Sequence, residues 1–188
     1  MFSRADIACC SDEVRYEGDV LVALRRKATQ AGATITQDVV RLRARTGVCA
    51  VPLLTPTRVV LIRQYHVAAN TELWTIPMGV LPDGIDPQTQ MQYELAEEIG
   101  YVADHLTLIG RSHVLPGYVA NEPAYIFVAD GLRPTVRTTP ETLTIHVDDF
   151  EVSHALRMIV DGAITDARTV AALLLWNHVS AFNQGSAP

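Results

Sequence analysis

The chain has 188 residues, of which 48% are hydrophobic and 19% are charged, and its formal net charge is −6. This length and composition predict one folded domain with one core and a small extra lobe, and they exclude disorder of the whole chain. The acidic balance argues against a nucleic-acid partner. We therefore expect a globular protein whose partner is not a nucleic acid.

Three features of the sequence bear on where the protein resides. No apolar run reaches the roughly 18 to 20 residues of a membrane helix, so we expect no membrane partner. The first residues lack an uninterrupted apolar stretch, so we expect no signal peptide. Cys9, Cys10 and Cys49 have neither the spacing of a disulfide framework nor that of a zinc site. Together these features predict a reduced, cytoplasmic protein.

Charged residues are distributed unevenly along the chain. Residues 1–63 hold ten of the fifteen Lys and Arg residues against six acids, whereas residues 64–110 hold seven acids and no Lys or Arg. A basic segment suits an anionic substrate, and an acidic segment suits the cations that neutralise such a substrate. Ordinary solvated surface explains the same distribution equally well.

Hydrophobic patterns predict a mixed sequence of strands and helices. Weak alternating runs over residues 18–40 predict an accessory antiparallel lobe. Apolar, β-branched runs then predict five strands, at residues 46–54, 58–65, 106–109, 124–129 and 143–147. Two helices close the chain: one near residues 150–160, which stops at Asp161-Gly162, and one near residues 166–182.

A helix in the middle of the chain has clear signals at both ends. Asp86 is a suitable N-cap, and Pro87 suits the first helical position because its missing N–H costs nothing there. Gly100 suits the C-terminal stop. Apolar residues fall on one face of this helix at four-residue intervals and should pack on the sheet: Met91, Leu95 and Ile99.

The same helix carries three acids, Glu94, Glu97 and Glu98. Like charges at four-residue spacing repel, acids near a helix C-terminus oppose the dipole, and no basic residue in the helix offsets either penalty. A bound divalent cation would offset both, because hard cations such as Mg²⁺ prefer carboxylate oxygens. A solvated acidic edge is the alternative, so the motif needs its context.

That context resembles the signature of the Nudix family. The signature reads Gly, five residues, Glu, seven residues, Arg-Glu, an aliphatic residue, any residue, Glu-Glu, any residue, Gly and an apolar residue, and residues 79–101 keep this spacing. The resemblance implies metal ligation by Glu94 and Glu98, and a further ligand or base role for Glu97. It also implies ligation by the backbone carbonyl of Met78.

Two positions depart from the signature, because Ile85 replaces the first Glu and Tyr93 replaces the Arg. In the family these two residues commonly pair and brace the loop against the helix. Losing one partner strands a charge, whereas replacing both with apolar groups is often neutral. We therefore expect Ile85 and Tyr93 to touch each other, shielded from water, and to leave the carboxylates in place. A decayed site is the competing interpretation.

Segments outside the signature are similar to the ADP-ribose pyrophosphatases of this family. Residues 59–66, 73–79, 115–118 and 162–174 occur in the order typical of that subfamily, and the resemblance extends over roughly residues 15–178. It implies three substrate-binding residues: Arg63, Pro116 and Gly117. Arg63 suits contact with a diphosphate because its planar fork matches phosphate oxygens.

Two positions depart from the subfamily near its substrate, where Thr75 replaces a Glu and His66 replaces an Arg. These departures favour a changed ligand. A lone histidine is more often a hydrogen-bonded structural residue than a catalyst, so His66 by itself does not indicate chemistry.

The resemblance also implies a fold and an assembly. We expect an α/β/α Nudix sandwich with a mixed sheet and an N-terminal antiparallel β lobe. The expected boundaries are a tail at 1–14, the lobe at 15–45, the hydrolase domain at 46–182 and a tail at 183–188. Because the subfamily commonly pairs through its lobe, we expect a homodimer.

The implied reaction is hydrolysis of a nucleoside diphosphate linked to another moiety, with ADP-ribose or nucleotide-sugar compounds as substrates and Mg²⁺ or Mn²⁺ as cofactor. The family needs a base on a late loop, and Glu141 is the first candidate, with Glu122 the second. The alternative from another functional class is a catalytically impaired Nudix module that binds a nucleotide as a sensor.

Overall fold

The computed structural model describes residues 7–30, 32–44, 46–137 and 146–185. Within these residues the chain forms ten strands and three helices. The strands are β1 (Ile7–Glu17), β2 (Leu21–Gln30), β3 (Ala33–Leu42), β4 (Thr46–Thr55), β5 (Arg58–His66), β6 (Thr71–Thr75), β7 (Met78–Leu81), β8 (Tyr101–Ser112), β9 (Ala124–Pro134) and β10 (His146–Glu151). The helices are α1 (Pro87–Ile99), α2 (Val152–Val160) and α3 (Ala167–Gly185). None of the helices in these ranges is long and apolar enough to cross a membrane.

A mixed sheet of seven strands forms the centre of the larger part of the molecule. Its main path is β10-β5-β4-β9-β8, with β6 paired to β5 and β7 paired to β4. Strands β4 and β9 pair in parallel, whereas the other pairs in this sheet are antiparallel. A parallel pair needs a crossover connection, and here α1 lies in the chain between β4 and β9.

Side-chain alternation along β5 divides the core into two layers. Val59 and Leu61 point into the cluster that contains Leu173 of α3. Val60 and Ile62 point the other way, into the cluster that contains Met91 of α1. Because successive side chains of a strand face opposite sides, one apolar run fills both layers. The α/β/α sandwich with a mixed sheet that the sequence predicts is confirmed.

Helix α1 has the ends that its sequence predicts. A side-chain oxygen of Asp86 accepts a hydrogen bond from the backbone N–H of Thr89 at 2.9 Å, and Pro87 opens the helix. Gly100 ends it in the left-handed conformation, at φ 73° and ψ 33°. The apolar face predicted for this helix is buried: Met91, Leu95 and Ile99. The two caps and the buried face set the position and the rotation of α1, and so they determine where its acidic residues lie.

The N-terminal lobe is a separate sheet of three antiparallel strands, in the order β1-β2-β3. Ion pairs connect the middle strand to both of its neighbours. Arg26 contacts Asp12 of β1 at 2.7 Å, and Arg25 contacts Asp38 of β3 at 2.9 Å. The antiparallel lobe was predicted, and its first strand begins at Ile7, within the residues 1–14 that were expected as a tail. Residues from Ile7 onward pair with β2, and Asp12 in this segment is the cross-strand partner of Arg26.

Several element boundaries differ from the sequence predictions. Strands β8 and β9 are longer than their apolar runs, because polar residues such as Asp104 and Arg133 pair across them at 2.7 Å. Strands β6 and β7 were not predicted from the sequence as separate strands. The strand expected at 143–147 lies at His146–Glu151, and residues 143–145 lie outside the described residues. Helix α2 begins at Val152, two residues later than expected.

Asn121 joins the lobe to the larger part. Its side-chain oxygen accepts a hydrogen bond from the N–H of Leu42 at 2.8 Å, and its amide donates to the carbonyls of Leu42 and Ala44. Nearby, the N–H of Val40 donates to the carbonyl of Tyr118 at 2.7 Å. One side chain therefore satisfies the backbone at the end of β3, where no further strand does so.

We predict that Asn121→Ala destabilises the fold by about 2 to 3 kcal/mol, because it leaves part-buried backbone groups without partners. Urea unfolding measures this change in the free energy of unfolding. The matched control is Asn177→Ala, on an exposed position of α3, where we expect a change within about 0.5 kcal/mol. Equal effects in the two variants would contradict a bridging role for Asn121.

Candidate active site

Glu98 is the most buried of the three acids on α1, with 8% of its surface exposed. Its carboxyl accepts a hydrogen bond from the backbone N–H of Met78, at the start of β7, over 2.9 Å. Burial, together with the neighbouring Glu94 and Glu97, raises the pKa of Glu98 to about 8, against the lowering effect of the hydrogen bond from Met78. Without a cation nearby, this carboxyl therefore holds a proton near neutral pH.

Glu94 lies against the backbone of Gly79, one residue further along β7. A Cβ atom at Gly79 would lie 1.8 Å from the Oε1 atom of Glu94, so only glycine leaves room for the carboxyl. Gln90 donates a hydrogen bond to the same oxygen at 2.7 Å. Burial raises the pKa of Glu94, and the charge of Glu97 adds to this effect. The signature glycine is thus a site of close approach between strand and helix.

Arg137 supplies a positive charge that the helix itself lacks. It follows β9, and its Cβ lies 3.4 Å from where a Cβ on Gly100 would stand. The N–H of Thr135 donates to the carbonyl of Gly100 at 2.8 Å, which holds this segment at the C-terminal end of α1. The charge of Arg137 lowers the pKa of Glu98 and so opposes the effect of burial.

The acidic residues fit a hard divalent cation by the chemistry of their donors, because carboxylate oxygens are the ligands that Mg²⁺ and Mn²⁺ prefer. They are not gathered into a finished site. Among the residues described, no three His, Cys, Asp or Glu side chains form a group that could hold a metal ion. Glu98 is turned towards the N–H of Met78 instead. Ligation by the Met78 carbonyl, by Glu94, by Glu97 and by Glu98 stays a prediction.

A cavity of about 320 Å³ borders the same strand, with Met78 and Gly79 in its wall. Residues of β5, of the loop before β9 and of α3 complete it: Gln64, His66, Val114, Val119, Asn121 and Arg168. Its size lies at the lower end of the range for small-molecule sites. The cavity and the acidic face therefore meet at one short strand.

Arg63 lies outside this cavity. Its guanidinium stacks over the ring of Trp74 at 5.5 Å and lies 3.5 Å from Glu72. Because side chains alternate along β5, the cavity wall receives Gln64 and His66 instead. Diphosphate contact by Arg63 stays a prediction.

Pro116 and Gly117 do not line the cavity, although Val114 and Val119 of the same loop do. The carbonyl of Gly117 accepts a hydrogen bond from the side chain of Gln37 in the lobe. This loop therefore docks on β3 through its middle and faces the cavity through its ends. Substrate contact by Pro116 and Gly117 stays a prediction.

The two candidates for the base differ in what the structure says of them. Glu141 lies outside the described residues, so its role stays a prediction. Glu122 lines the cavity, and its carboxyl lies 3.8 Å from Arg111.

Ile85 and Tyr93 do not form the shielded contact that we expected. They are 40% and 63% exposed, respectively. Ile85 lies in the turn before α1, and Tyr93 lies on the solvent side of the helix, between the buried Met91 and Leu95. The expectation of shielding was wrong because helical periodicity turns Tyr93 away from the sheet.

Sequence reasoning missed the wall residues Gln64 and Arg168. Alternation from the buried Ile62 would have identified Gln64 and His66 as one face of β5. Arg168 has a weaker signal, since a cation in the first turn of a helix opposes the dipole and therefore calls for an explanation.

Comparison with known proteins is consistent with this geometry. The NUDIX domain family model matches residues 43–172, which is most of the chain. The protein therefore belongs to the Nudix family. A solved structure, described as "Crystal structure of ADP compounds hydrolase", superposes with a TM-score of 0.80 over 96% of both chains, at 23% sequence identity. At this identity the likeness shows the fold.

Two curated relatives are similar in sequence. The ADP-ribose pyrophosphatase of Bacillus subtilis (strain 168) is 28% identical over 118 residues, which are 62% of this chain and 63% of that protein. The methanol dehydrogenase activator of Bacillus methanolicus is 27% identical over 144 residues, which are 76% of both chains. The match thus spans less than two thirds of the first relative and about three quarters of the second.

The raised pKa of Glu98 gives a prediction for stability. The folded pKa of about 8 exceeds the ordinary value of 4.5, so the fold favours the protonated acid. This contribution is fully present below the ordinary value and is lost as pH rises towards the folded value. Without metal, we expect the melting temperature to fall between about pH 5 and about pH 8, and to fall less in Glu98→Gln.

Differential scanning fluorimetry across that window measures the effect. Across this window the melting temperature should fall by about 2 °C or more further in the wild type than in Glu98→Gln. Glu151→Gln is the control, because Glu151 is exposed and ends β10 at the edge of the sheet, and it should follow the wild type. Parallel curves for wild type and Glu98→Gln would refute the buried proton.

Proposed function

We propose that this Nudix family member hydrolyses a nucleoside diphosphate linked to another moiety, with compounds of the ADP-ribose and nucleotide-sugar type as substrates. One observation carries the proposal: the acidic face of α1 and a small-molecule cavity share the strand β7, through Met78 and Gly79. Similarity to an ADP-ribose pyrophosphatase supports this substrate class.

In the proposed reaction, water adds to a phosphorus of the diphosphate and the P–O bond to the bridging oxygen breaks, which yields two phosphate monoesters. Glu94, Glu97 and Glu98, together with the Met78 carbonyl, would hold the divalent cations. When bound, Mg²⁺ or Mn²⁺ neutralises charge on the phosphate oxygens and lowers the pKa of the attacking water. Glu141, or else Glu122, accepts the proton of that water, with Glu97 as the further candidate.

We also propose a homodimer in the cytoplasm. The lobe exposes large apolar side chains on its strands and turn: Val14, Tyr16, Val20 and Ile35. A second copy of the lobe would cover such a surface. The cytoplasmic location rests on the cysteine usage, with Cys49 buried as a free thiol.

A second candidate is a nucleotide-binding module without turnover. Two observations favour it: the described acids are not gathered into a metal group, and one relative is named as an activator of another enzyme. Such a module would bind a nucleotide in the cavity but would not hydrolyse it.

A nucleotide panel with Mg²⁺, with Mn²⁺ and with a chelator tests the proposal. We expect phosphate-ester products from ADP-ribose or a nucleotide sugar with either metal ion and none with the chelator. Glu98→Gln should lower kcat/KM about a hundredfold or more, because one carboxylate ligand is lost. Glu151→Gln is the control and should retain full turnover. Binding without turnover across the panel would favour the module.

Gly79→Ala gives a separate prediction. The added methyl group meets the Glu94 carboxyl, which is the end of a flexible side chain, so the carboxyl moves and the fold tolerates the change. We expect kcat/KM to fall about a hundredfold, as for displacement of a catalytic group by about 1 Å, while the melting temperature changes little. Gly110→Ala is the contrast, since its methyl group meets Leu175 of α3 at 2.6 Å. It should affect stability more than turnover, and the reverse pattern would refute the assignment.

A further inference from the structure

The cavity beside β7 contains polar side chains of two kinds. Some are already bound within the protein. The side-chain amide of Asn121 hydrogen-bonds to the backbone of Leu42 and Ala44. The hydroxyl of Thr46 donates to the carbonyl of Glu122 at 2.7 Å. These residues hold the wall together and have little left to offer a ligand.

His66 is of the second kind. Its Nε2 atom is buried and has no hydrogen-bond partner among the described residues, although the side chain lines the cavity. Buried polar atoms are nearly always hydrogen-bonded, so a ring nitrogen without a partner calls for one from outside the chain. The wall of the cavity is otherwise rich in apolar residues, among them Val114 and Val119.

Arg168 is the positive charge in the cavity wall, and it comes from the first turn of α3. Its nearest acid is Asp166, at 3.7 Å, which is too long for a hydrogen bond. The same carboxyl accepts hydrogen bonds from the N–H and the hydroxyl of Thr169 through Oδ1, at 2.9 and 2.8 Å, and its Oδ2 atom faces Arg168. A guanidinium has five N–H donors in a planar fork, and most of these remain available to an anion.

The position of Arg168 is unfavourable for the helix itself. A cation in the first turn opposes the positive end of the helix dipole, whereas an anion bound in front of that turn interacts well with both. Arg63, the other candidate for an anion, is held on the opposite face of β5 by Trp74 and Glu72. In a wall that also contains Gln64 and Glu122, Arg168 is therefore the cation and His66 the unpartnered donor or acceptor that an anionic ligand would meet.

We propose that Arg168 and His66 bind the diphosphate of the nucleotide ligand, in place of Arg63. This inference rests on the proposed function for the identity of the ligand. The guanidinium contacts phosphate oxygens through its fork, and Nε2 of His66 hydrogen-bonds to the same diphosphate. The wall that carries Met78 and Gly79 then places that diphosphate beside the acids of α1.

Calorimetric titration of the full chain tests this with three probes, in the presence of Mg²⁺. ADP carries the diphosphate without a linked group, inorganic pyrophosphate carries it without a nucleoside, and adenosine lacks it. Arg168→Gln should weaken the binding of ADP and of pyrophosphate about ten- to hundredfold and leave the binding of adenosine unchanged. His66→Phe keeps the ring and removes Nε2, so it should weaken ADP binding about two- to tenfold.

Two further variants sharpen the comparison. Arg157→Gln removes the same charge from an exposed position of α2 and should leave all three affinities unchanged. Arg63→Gln tests the competing assignment, and we expect it to change ADP binding less than twofold. Arg168→Lys keeps the charge without the fork, so it should lie between wild type and Arg168→Gln. If Arg168→Gln does not fold, Arg168→Lys and His66→Phe decide the same question.

The inference is overturned if Arg168→Gln binds ADP as the wild type does, or if it weakens ADP and adenosine equally. A loss carried by Arg63→Gln instead, or a wild type that binds neither ADP nor pyrophosphate, overturns it as well. These titrations need no turnover. A chain that binds ADP through Arg168 but hydrolyses nothing on the nucleotide panel therefore contradicts the proposed function alone.

Discussion

The contact between α1 and β7 determines the rest of the site. The N–H of Met78 donates to Glu98, and the backbone of Gly79 lies against Glu94. Strand β7 pairs with β4 in the sheet, so the sheet fixes the positions of both acids through β7. The same two residues of β7 border the cavity. A strand of four residues thus sets the distance between the acidic face and the space for a ligand.

Burial and like charge act together on these acids. Both raise the pKa of Glu98, and only Arg137 and one backbone N–H act in the opposite direction. An acid that is held protonated in this way gives up its proton when a cation binds, so the affinity for metal should rise with pH. Burying acids beside one another would destabilise a helix edge that served only as solvated surface, whereas it is expected of a site that binds cations. The second interpretation agrees with membership of the Nudix family.

The departures at Ile85 and Tyr93 have a simple structural consequence. Both side chains are exposed, so no contact shielded from water replaces the brace that the family commonly has. Helix α1 is held by other means: the Asp86 cap, the Gly100 stop and the buried face that includes Leu95. The acids of α1 are therefore positioned without the usual ion pair, and the missing brace does not by itself imply a decayed site.

The sequence by itself determined the parts that depend on local patterns. Apolar, β-branched runs predicted β4 and β5, and four-residue spacing with capping residues predicted α1 together with its acidic face. The site as a whole could be predicted less well, because contacts between distant segments leave little local signal. Only the tertiary structure decided that Arg63 faces Trp74 and that Arg168, more than one hundred residues later, enters the cavity. A strand's two faces look alike in sequence wherever both carry polar residues, and packing against α3 selects between them.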